Sequence, residues 1–316
     1  MVSVDVVIPN YNYASLLPEC VDSILGQGVE DLRIIIIDNA SKDDSVAVAE
    51  RLAASCAKTI EIMRHAKNIG PHGSFNEGID LARADYFMIL CADDVLAPGA
   101  LPLALAALEA NREASCAIGT YAGSGARDPH QAVTGTAAYT LLPGAALIAR
   151  ACRSSGRGIP AHSMLVRRTV QHKVGHYRPS LPYMDDLELL LRFARVGPIV
   201  ELAMPLAVQR YHKGNLSEEI WGDRLRDLKE RRAVFASFFN REGEGLPGAA
   251  GLYRMARRRL VGSALWFAAG CLRRRDLAGA LDLFKLATQI GRSERPAPLL
   301  APHASAFPES ADGKPS

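Results

Sequence analysis

Adjacent carboxylates follow an apolar stretch of the sequence and could hold a metal ion. Asp93 and Asp94 come directly after the apolar run 86–92. Two neighbouring carboxylates at the end of a buried strand repel one another unless a cation neutralises them. Mg²⁺ typically takes one or two protein carboxylates together with phosphate oxygens of a substrate. The competing interpretation is that Asp94 caps the next helix and that Asp93 is solvated.

A second pair of carboxylates, Asp185 and Asp186, stands where a helix is predicted to begin. The apolar residues behind the pair recur with the spacing of an amphipathic helix over 186–196: Leu187, Leu190, Leu191 and Ala194. Glu188 and Arg192 are predicted to lie four residues apart on the opposite side of that helix. Neighbours in a helix point about 100° apart, so only one carboxylate of the pair can face a given site. Helix capping is the competing interpretation.

Three further polar groups have the chemistry to contact a nucleotide. Tyr11, after the β-branched run 4–8, offers a flat face to a base, although ordinary turn chemistry also explains it. Asp38 follows four consecutive isoleucines, and an acid at the carboxyl end of a buried parallel strand can accept a hydrogen bond from a ribose hydroxyl. His212 is a candidate ligand for a metal or a phosphate, and an exposed loop histidine is equally compatible.

The scaffold for these groups follows from the pattern of the first 120 residues. Short apolar or β-branched runs predict strands at 4–8, 34–37, 60–63, 86–91 and 116–120. Helical spacing between them predicts helices at 14–26, 44–57, 74–84 and 98–110. Strands that alternate with helices in this way form βαβ units and a mainly parallel sheet, which places the fold in the α/β class. Ligands in such sheets bind at the carboxyl ends of the strands.

The later part of the chain is less regular. Residues 121–160 are rich in Gly, Ala and Ser, and we predict loops around a short helix. Strands are predicted at 164–167 and, as an edge strand, at 207–211.

Composition excludes several classes of protein. The chain has 316 residues, of which 48% are hydrophobic and 22% charged, so it can bury a full core. A formal net charge of +3 gives no reason to expect a nucleic-acid partner. The six cysteines show no CxxC pairing, which excludes a zinc ribbon and disfavours a disulfide scaffold. No GxGxxG turn follows the first predicted strand, and no Walker A loop occurs.

The expected location is the cytoplasm. The N-terminus shows no basic segment followed by an apolar stretch, so we expect no signal peptide. The longest uncharged apolar run of the C-terminal half is well short of the roughly 20 residues that a membrane span requires.

The polar motifs follow one another in a fixed order. They are 6–12, 36–43, 68–70 with 84–86, 91–94, and Asp185-Asp186 with Arg192. In this order and spacing they resemble the bacterial family 2 glycosyltransferases of the GT-A fold, over about residues 3–217. The resemblance implies a mainly parallel nucleotide-binding sheet flanked by helices. It also implies an inverting transfer of a sugar from a nucleotide-diphosphate donor, expected to carry UDP, to a hydroxyl of a glycan or lipid-linked acceptor.

The resemblance also assigns roles to individual residues. Donor contacts fall on Pro9, Tyr11, Asn12, Asp38, Asn68 and Asp93. Asp93 is the expected ligand of Mg²⁺ or Mn²⁺, and His212 resembles the late loop that closes on the diphosphate and the metal. Cys91 replaces the first acid of the family's aspartate-x-aspartate signature, which is a departure from the pattern. Asp186, six residues before Arg192, matches the family's catalytic base, with Asp185 as its partner.

Three regions are expected along the chain. Residues 1–217 form the catalytic domain, 218–291 a basic helical C-terminal region, and 292–316 a disordered tail rich in Pro, Ala and Ser. Between 251 and 295 there are ten Lys and Arg residues and three acids. These helices either dock on the catalytic domain or lie on the anionic inner face of a membrane that carries a lipid-linked acceptor. Synthesis of a cell-surface polysaccharide or glycolipid is the expected context.

Two other classes of protein compete with a glycosyltransferase. A sugar-phosphate nucleotidyltransferase is expected to carry a glycine-rich basic loop after its first strand, and residues 10–13 are not such a loop. A sugar-nucleotide-binding pseudoenzyme is suggested by Cys91 alone. The presence of Asp93, Asp186 and His212 argues against it.

Overall fold

The computed structural model describes residues 2–120, 138–210, 212 and 223–292. Its strands are β1 (Val4–Asn10), β2 (Leu32–Asp38), β3 (Thr59–Arg64), β4 (Tyr86–Ile89), β5 (Asp94–Leu96), β6 (Cys116–Ile118), β7 (Tyr139–Leu142), β8 (Met164–Arg167), β9 (Ile199–Leu202) and β10 (Ala207–Gln209). Its helices are α1 (Leu17–Leu25), α2 (Ser45–Ser55), α3 (Pro71–Leu81), α4 (Ala100–Ala110), α5 (Gly144–Ser154), α6 (Arg168–Val174), α7 (Asp185–Val196), α8 (Arg224–Phe239), α9 (Ala249–Arg273) and α10 (Leu277–Arg292).

A central sheet of eight strands has the order β3-β2-β1-β4-β8-β6-β9-β7. Strands β1 to β4 run parallel to one another, and β8 and β7 are antiparallel to their neighbours. The isoleucine run in β2 is buried on both faces, as its unbroken apolar character predicts. Ile34 and Ile36 join a core with α1, α2 and α4, whereas Ile35 and Ile37 pack on the other side of the sheet.

Strand β1 continues two residues beyond its predicted end, through Pro9 and Asn10. Its pairing with β4 stops at Val7, so Pro9 pairs only with β2. A proline has no N–H to donate, and at this position the missing donor removes no bond to β4. The longer strand brings Asn10 level with Asp38 at the end of β2.

The predicted edge strand near 207 pairs away from the central sheet. Its described part, β10, forms a separate two-stranded antiparallel sheet with β5, in which Gln209 pairs with Asp94. This pairing carries the chain toward His212 beside the segment that follows β4. Strands β7 and β9 were not predicted; each has four residues, and β7 lies in the stretch predicted as loops.

One prediction made from the helical spacing of α7 is wrong. Glu188 and Arg192 were expected on the side of the helix away from the core, but both are almost fully buried. Arg192 Nε donates to Glu188 Oε2 at 2.9 Å. Ser237 of α8 also donates to Glu188, at 3.2 Å, so the C-terminal helices cover this side of α7.

Helices α8, α9 and α10 form the C-terminal helical extension. Their apolar residues share one core with α5 and α7, so these helices dock on the sheet domain. Among the described residues, no helix combines the length and the apolar character that crossing a bilayer requires. The predicted tail beyond Arg292 lies outside the described residues, as do 213–222 after His212.

Candidate active site

The ends of β1 and β2 form a polar edge around Asp38. Asn10 Nδ2 donates to Asp38 Oδ2 at 3.0 Å, and the Ser41 backbone N–H donates to Asp38 Oδ1 at 3.0 Å. Asn10 and Asp38 are each only 2% exposed. A carboxylate has about four lone-pair sites, so each Asp38 oxygen can still accept a bond from a ligand.

The turn after β1 is tied to the turn after β2 by Asn12. Its backbone N–H donates to Ser41 Oγ at 2.9 Å, and its Oδ1 accepts from the Lys42 backbone N–H at 2.7 Å. Asn12 has a φ of 60°, a left-handed conformation that asparagine tolerates better than most residues. Pro9 and Tyr11, both partly buried, lie at the same end of β1.

The segment after β3 extends this edge through Asn68. Asn39 Nδ2 donates to Asn68 Oδ1 at 2.9 Å, and Asn39 Oδ1 accepts from the Ile69 backbone N–H at 2.9 Å. His65 Nδ1 lies 2.9 Å from the same Asn39 oxygen. The structure therefore brings the predicted donor-binding residues of three strand ends to one edge.

Cys91, Asp93 and Asp94 lie together after β4. Their ligand atoms all fall within 4.8 Å of one another. Burial, and then the charge of Asp93, raises the pKa of Asp94 well above its usual range. Asp94 belongs to β5 and is not a helix cap, because Gly99 precedes α4. Closely spaced carboxylates are a donor set that suits a divalent cation.

His212 and Arg210 approach Asp93 from the end of β10. His212 Nε2 is 3.3 Å from Asp93 Oδ2. Arg210 donates to the backbone carbonyls of Asp93 at 2.7 Å and Ala92 at 2.9 Å. Tyr13 packs edge-on against His212, with 5.2 Å between ring centroids. The roles of Arg210 and Tyr13 were not predicted, although both stand next to motif residues in the sequence.

Asp185 is paired with a histidine from a distant part of the chain. His72 Nε2, on α3, lies 3.0 Å from Asp185 Oδ2, and both side chains are nearly buried. Burial lowers the pKa of His72, but the carboxylate of Asp185 outweighs it and leaves the pKa raised. His72 was not predicted as a site residue; its one signal was its place two residues after the motif that ends at Gly70.

Asp186 has a different environment from its neighbour. Burial, and then the adjacent Asp185 charge, raises the pKa of Asp186 to about 7. Its Oδ1 accepts from the Leu187 backbone N–H at 2.6 Å. A carboxyl group with this pKa exchanges protons readily near neutral pH.

One cavity reaches from the Asp185–Asp186 pair to part of the cluster after β4. Cys91, Asp94, Asp185 and Asp186 all line a space of about 170 Å³. Aromatic side chains complete its wall: Phe75, Phe87, Tyr177 and Tyr183. A cavity lined by carboxylates and aromatic side chains suits a polar ligand.

Comparison with known proteins identifies the family. Residues 5–175 match the family model described as glycosyl transferase family 2. The chain belongs to glycosyl transferase family 2. This confirms the family resemblance that the motifs carried.

Relatives in the family match different shares of the chain. An uncharacterized glycosyltransferase of Rickettsia felis is 27% identical over 246 residues, which are 73% of this chain and 39% of that protein. A PGL/p-HBAD biosynthesis glycosyltransferase of Mycobacterium bovis is 33% identical over 91 residues, 29% of this chain and 35% of that protein. The chain thus spans well under half the length of these relatives.

Solved structures confirm the GT-A-type fold. Residues 1–349 of S. aureus TarS superpose with a TM-score of 0.55 at 13% identity, covering 91% of each chain. The mannosyltransferase PcManGT from Pyrobaculum calidifontis, solved with GDP-Man and Mn²⁺, superposes with a TM-score of 0.56 at 17% identity, covering 91% of this chain and 86% of that one.

Proposed function

We propose that this family 2 chain is an inverting glycosyltransferase in which Asp186 is the general base. The observation that carries the proposal is that one cavity among the described residues is lined by Asp186 and also by Cys91 and Asp94. An acceptor hydroxyl beside Asp186 and a donor diphosphate beside Asp94 would place the two reactants in one space.

The reaction needs a base because an alcohol is a poor nucleophile. As the acceptor oxygen attacks the anomeric carbon, its proton passes to the Asp186 carboxylate. The bond from that carbon to the diphosphate oxygen breaks, and the nucleoside diphosphate leaves. General-base catalysis of this kind typically raises the reaction rate by about 10²–10⁴-fold. One displacement, with the base opposite the leaving group, inverts the anomeric centre.

The donor is proposed to bind along the edge formed by β1, β2 and β3. Asp38 supplies acceptors for the nucleoside, and Asn12 fixes the turn on which Tyr11 stands. Asn68 offers its side-chain N–H₂ as a donor, because its Oδ1 already accepts from Asn39 and from a backbone N–H. UDP is the proposed nucleotide. TarS has been solved with UDP and with UDP-GlcNAc, whereas PcManGT was solved with GDP-Man, and both share this fold.

A divalent cation, Mg²⁺ or Mn²⁺, fits the acidic cluster after β4. Asp93 would hold it, with Asp94 and His212 beside it; two carboxylates and an imidazole are a donor set for such an ion. When bound, the cation offsets negative charge on the leaving diphosphate. Arg210 fixes the backbone of this segment through its bonds to the carbonyls of Ala92 and Asp93.

The wider assignments are also proposals. We assign donor and acceptor chemistry to residues 1–217 and acceptor access to 218–291, with 292–316 as a tail. The acceptor is a glycan or lipid-linked hydroxyl, the product a cell-surface polysaccharide or glycolipid, and the place of work the cytoplasmic face of a membrane. The basic and apolar character of 251–295 supports this location.

One observation favours a second candidate, a pseudoenzyme that binds sugar nucleotides without turnover. Cys91 stands where the family carries an acid, and burial raises its pKa, so it adds no charge to the cluster. No glycine-rich loop follows β1, so nothing favours a nucleotidyltransferase.

Turnover separates the two candidates. The purified protein is incubated with UDP-sugars and GDP-mannose plus bacterial membrane extract, and release of nucleoside diphosphate is measured. We expect release with one donor, and an Asp186→Asn protein that binds this donor normally without releasing diphosphate. Donor binding without turnover in the wild type would favour the pseudoenzyme, and full turnover in Asp186→Asn would remove Asp186 as the base.

A further inference from the structure

Exposed apolar side chains are concentrated at the end of the described chain. Nine large hydrophobic side chains are exposed among the described residues, and six of them lie on α9 and α10. These six are Leu265, Trp266, Leu272, Leu277, Leu281 and Phe284. Scattered exposed hydrophobic residues are normal, but a concentration on one helical hairpin marks an interaction surface.

Helix α10 carries two apolar faces. One is buried in the shared core and includes Leu283, Leu286 and Ile290. The other is a stripe of Leu277, Leu281 and Phe284, spaced i, i+4, i+7, with exposures of 71%, 54% and 41%. Packing against the protein therefore explains only the first face.

The same two helices carry an excess of positive charge. Between 249 and 292 there are nine Lys and Arg residues and two acids. A cleft of about 310 Å³ lies where α9 passes the C-terminal end of α5, beside Trp266. Four arginines line it: Arg153, Arg157, Arg258 and Arg259. Guanidinium groups gathered around one cleft suit phosphate groups, which they bind bidentately.

We propose that the α9–α10 hairpin docks on an anionic phospholipid bilayer. The Leu277–Leu281–Phe284 stripe and Trp266 enter the interface, and the arginines of the cleft bind lipid phosphates. A helix face that combines large apolar groups with flanking cations lies in the plane of an anionic membrane surface. Tryptophan favours the same interfacial depth.

The same charges argue against a second copy of this chain as the partner that covers the α9–α10 surface. A twofold interface would place this surface against itself. Nine cations and two acids would then face an identical set, and like charges across an interface oppose association. Anionic lipid headgroups complement the same charges.

Vesicle binding by the full chain tests the proposal without requiring the transfer reaction. The protein is sedimented with vesicles of phosphatidylcholine alone, or of phosphatidylcholine and phosphatidylglycerol in equal parts, at low and at high NaCl. We expect binding to the anionic vesicles that weakens with salt and little binding to the neutral ones. Failure of the wild type to bind anionic vesicles overturns the proposal, whatever the outcome of the turnover assay.

Matched variants locate the surface. Replacing the stripe in Leu277→Gln/Leu281→Gln/Phe284→Gln should lower anionic vesicle binding about tenfold or more, because the apolar contribution is lost. Arg258→Gln/Arg259→Gln should lower binding and its salt dependence. The controls Leu141→Gln/Val196→Gln and Arg51→Gln/Arg112→Gln remove exposed groups elsewhere and should bind as the wild type does.

The replaced side chains are exposed, so the variants should keep the wild-type melting temperature and donor binding. If folded stripe and arginine variants bind vesicles as well as the wild type, the proposed surface is wrong. Absence of vesicle binding together with a dimer that the stripe variant abolishes would identify a second copy as the occupant.

Discussion

His72 Nε2 lies 3.0 Å from Asp185 Oδ2, whereas burial and the Asp185 charge raise the pKa of the neighbouring Asp186 to about 7. The two adjacent carboxylates therefore differ in their environments, although both line the same cavity. In the proposed mechanism Asp185 is a positioning residue, which pairs with His72 of α3 and whose charge raises the pKa of its neighbour. Asp186 is the group suited to accept a proton.

The first prediction concerns the pH dependence of turnover. A base must be ionised to accept a proton, so kcat/KM should rise with pH through an apparent pKa of about 7 and then level off. The initial rate of nucleoside diphosphate release, measured from pH 5 to pH 9, checks this. A rate that is already maximal at pH 5 would mean that Asp186 is not the base.

Asp185→Asn should move the rise of kcat/KM with pH to lower pH values. The charge of Asp185 is the second cause, after burial, of the raised pKa of Asp186, and the variant removes it. Turnover should fall less than the roughly 10²–10⁴-fold expected for Asp186→Asn. A pH profile unchanged from the wild type would contradict this coupling, and a complete loss of turnover would instead make Asp185 the base.

The pH dependence of folding stability should reveal the raised pKa of Asp186 in the absence of substrate. The folded-state pKa of Asp186 is about 7, above the reference value of 3.8, so the folded protein binds a proton more tightly than the unfolded chain between these pH values. The free energy of unfolding contributed by Asp186 therefore falls as pH rises through this window. The melting temperature of Asp186→Asn, relative to wild type, should rise from pH 4.5 to about pH 8. An unchanged difference would contradict the raised pKa.

Cys91→Asp should make folding more dependent on metal. It adds a third carboxylate to a cluster whose ligand atoms lie within 4.8 Å. Like charges repel without a cation, so the variant should melt below wild type in EDTA and gain more than wild type from Mn²⁺. Differential scanning fluorimetry measures both effects, with Cys91→Ser as the uncharged control. Equal gains from Mn²⁺ in Cys91→Asp and Cys91→Ser would count against a cation at this cluster.

Arg192 should stabilise the fold through buried bonds. Its guanidinium donates to Glu188 and to the backbone carbonyls of Val174 and His176. Removing one partner of a buried ion pair typically costs about 3–5 kcal/mol, and we expect the low end for Arg192→Leu because Arg178 also pairs with Glu188. Urea denaturation measures it. The control Lys285→Ala, which breaks an exposed pair with Asp282, should change stability by less than about 1 kcal/mol.

Two of the predicted site residues lie at or shortly after the ends of strands and therefore at the carboxyl edge of the sheet. Asp38 and Asp93 come after buried runs of apolar residues, and parallel strands end at the same edge of a sheet. Their proximity could therefore be predicted without any tertiary information. The helix that begins at Asp185 was predictable for a similar reason, because its apolar spacing is local.

The remaining features depend on contacts between distant parts of the chain. His72 meets Asp185 across 113 positions, and no local pattern in α3 marks that pairing. Glu188 was expected on an exposed side because helical spacing shows one core-facing stripe. It does not show that Ser237 of α8 covers the opposite side. Strand β7 was missed because it lies in a stretch whose Gly, Ala and Ser content indicates loops.

Thermal stabilisation by nucleotides tests the central claim most directly. The melting temperature is measured with UDP, GDP, dTDP, CMP and NAD, each with and without Mn²⁺ or Mg²⁺, for the wild type and for Asp93→Ala. A ligand that binds only the folded state raises the melting temperature. We predict stabilisation by one nucleoside diphosphate that requires the cation and is lost in Asp93→Ala. No stabilisation by any diphosphate, or stabilisation indifferent to both the cation and Asp93, would contradict the proposed metal-dependent donor site.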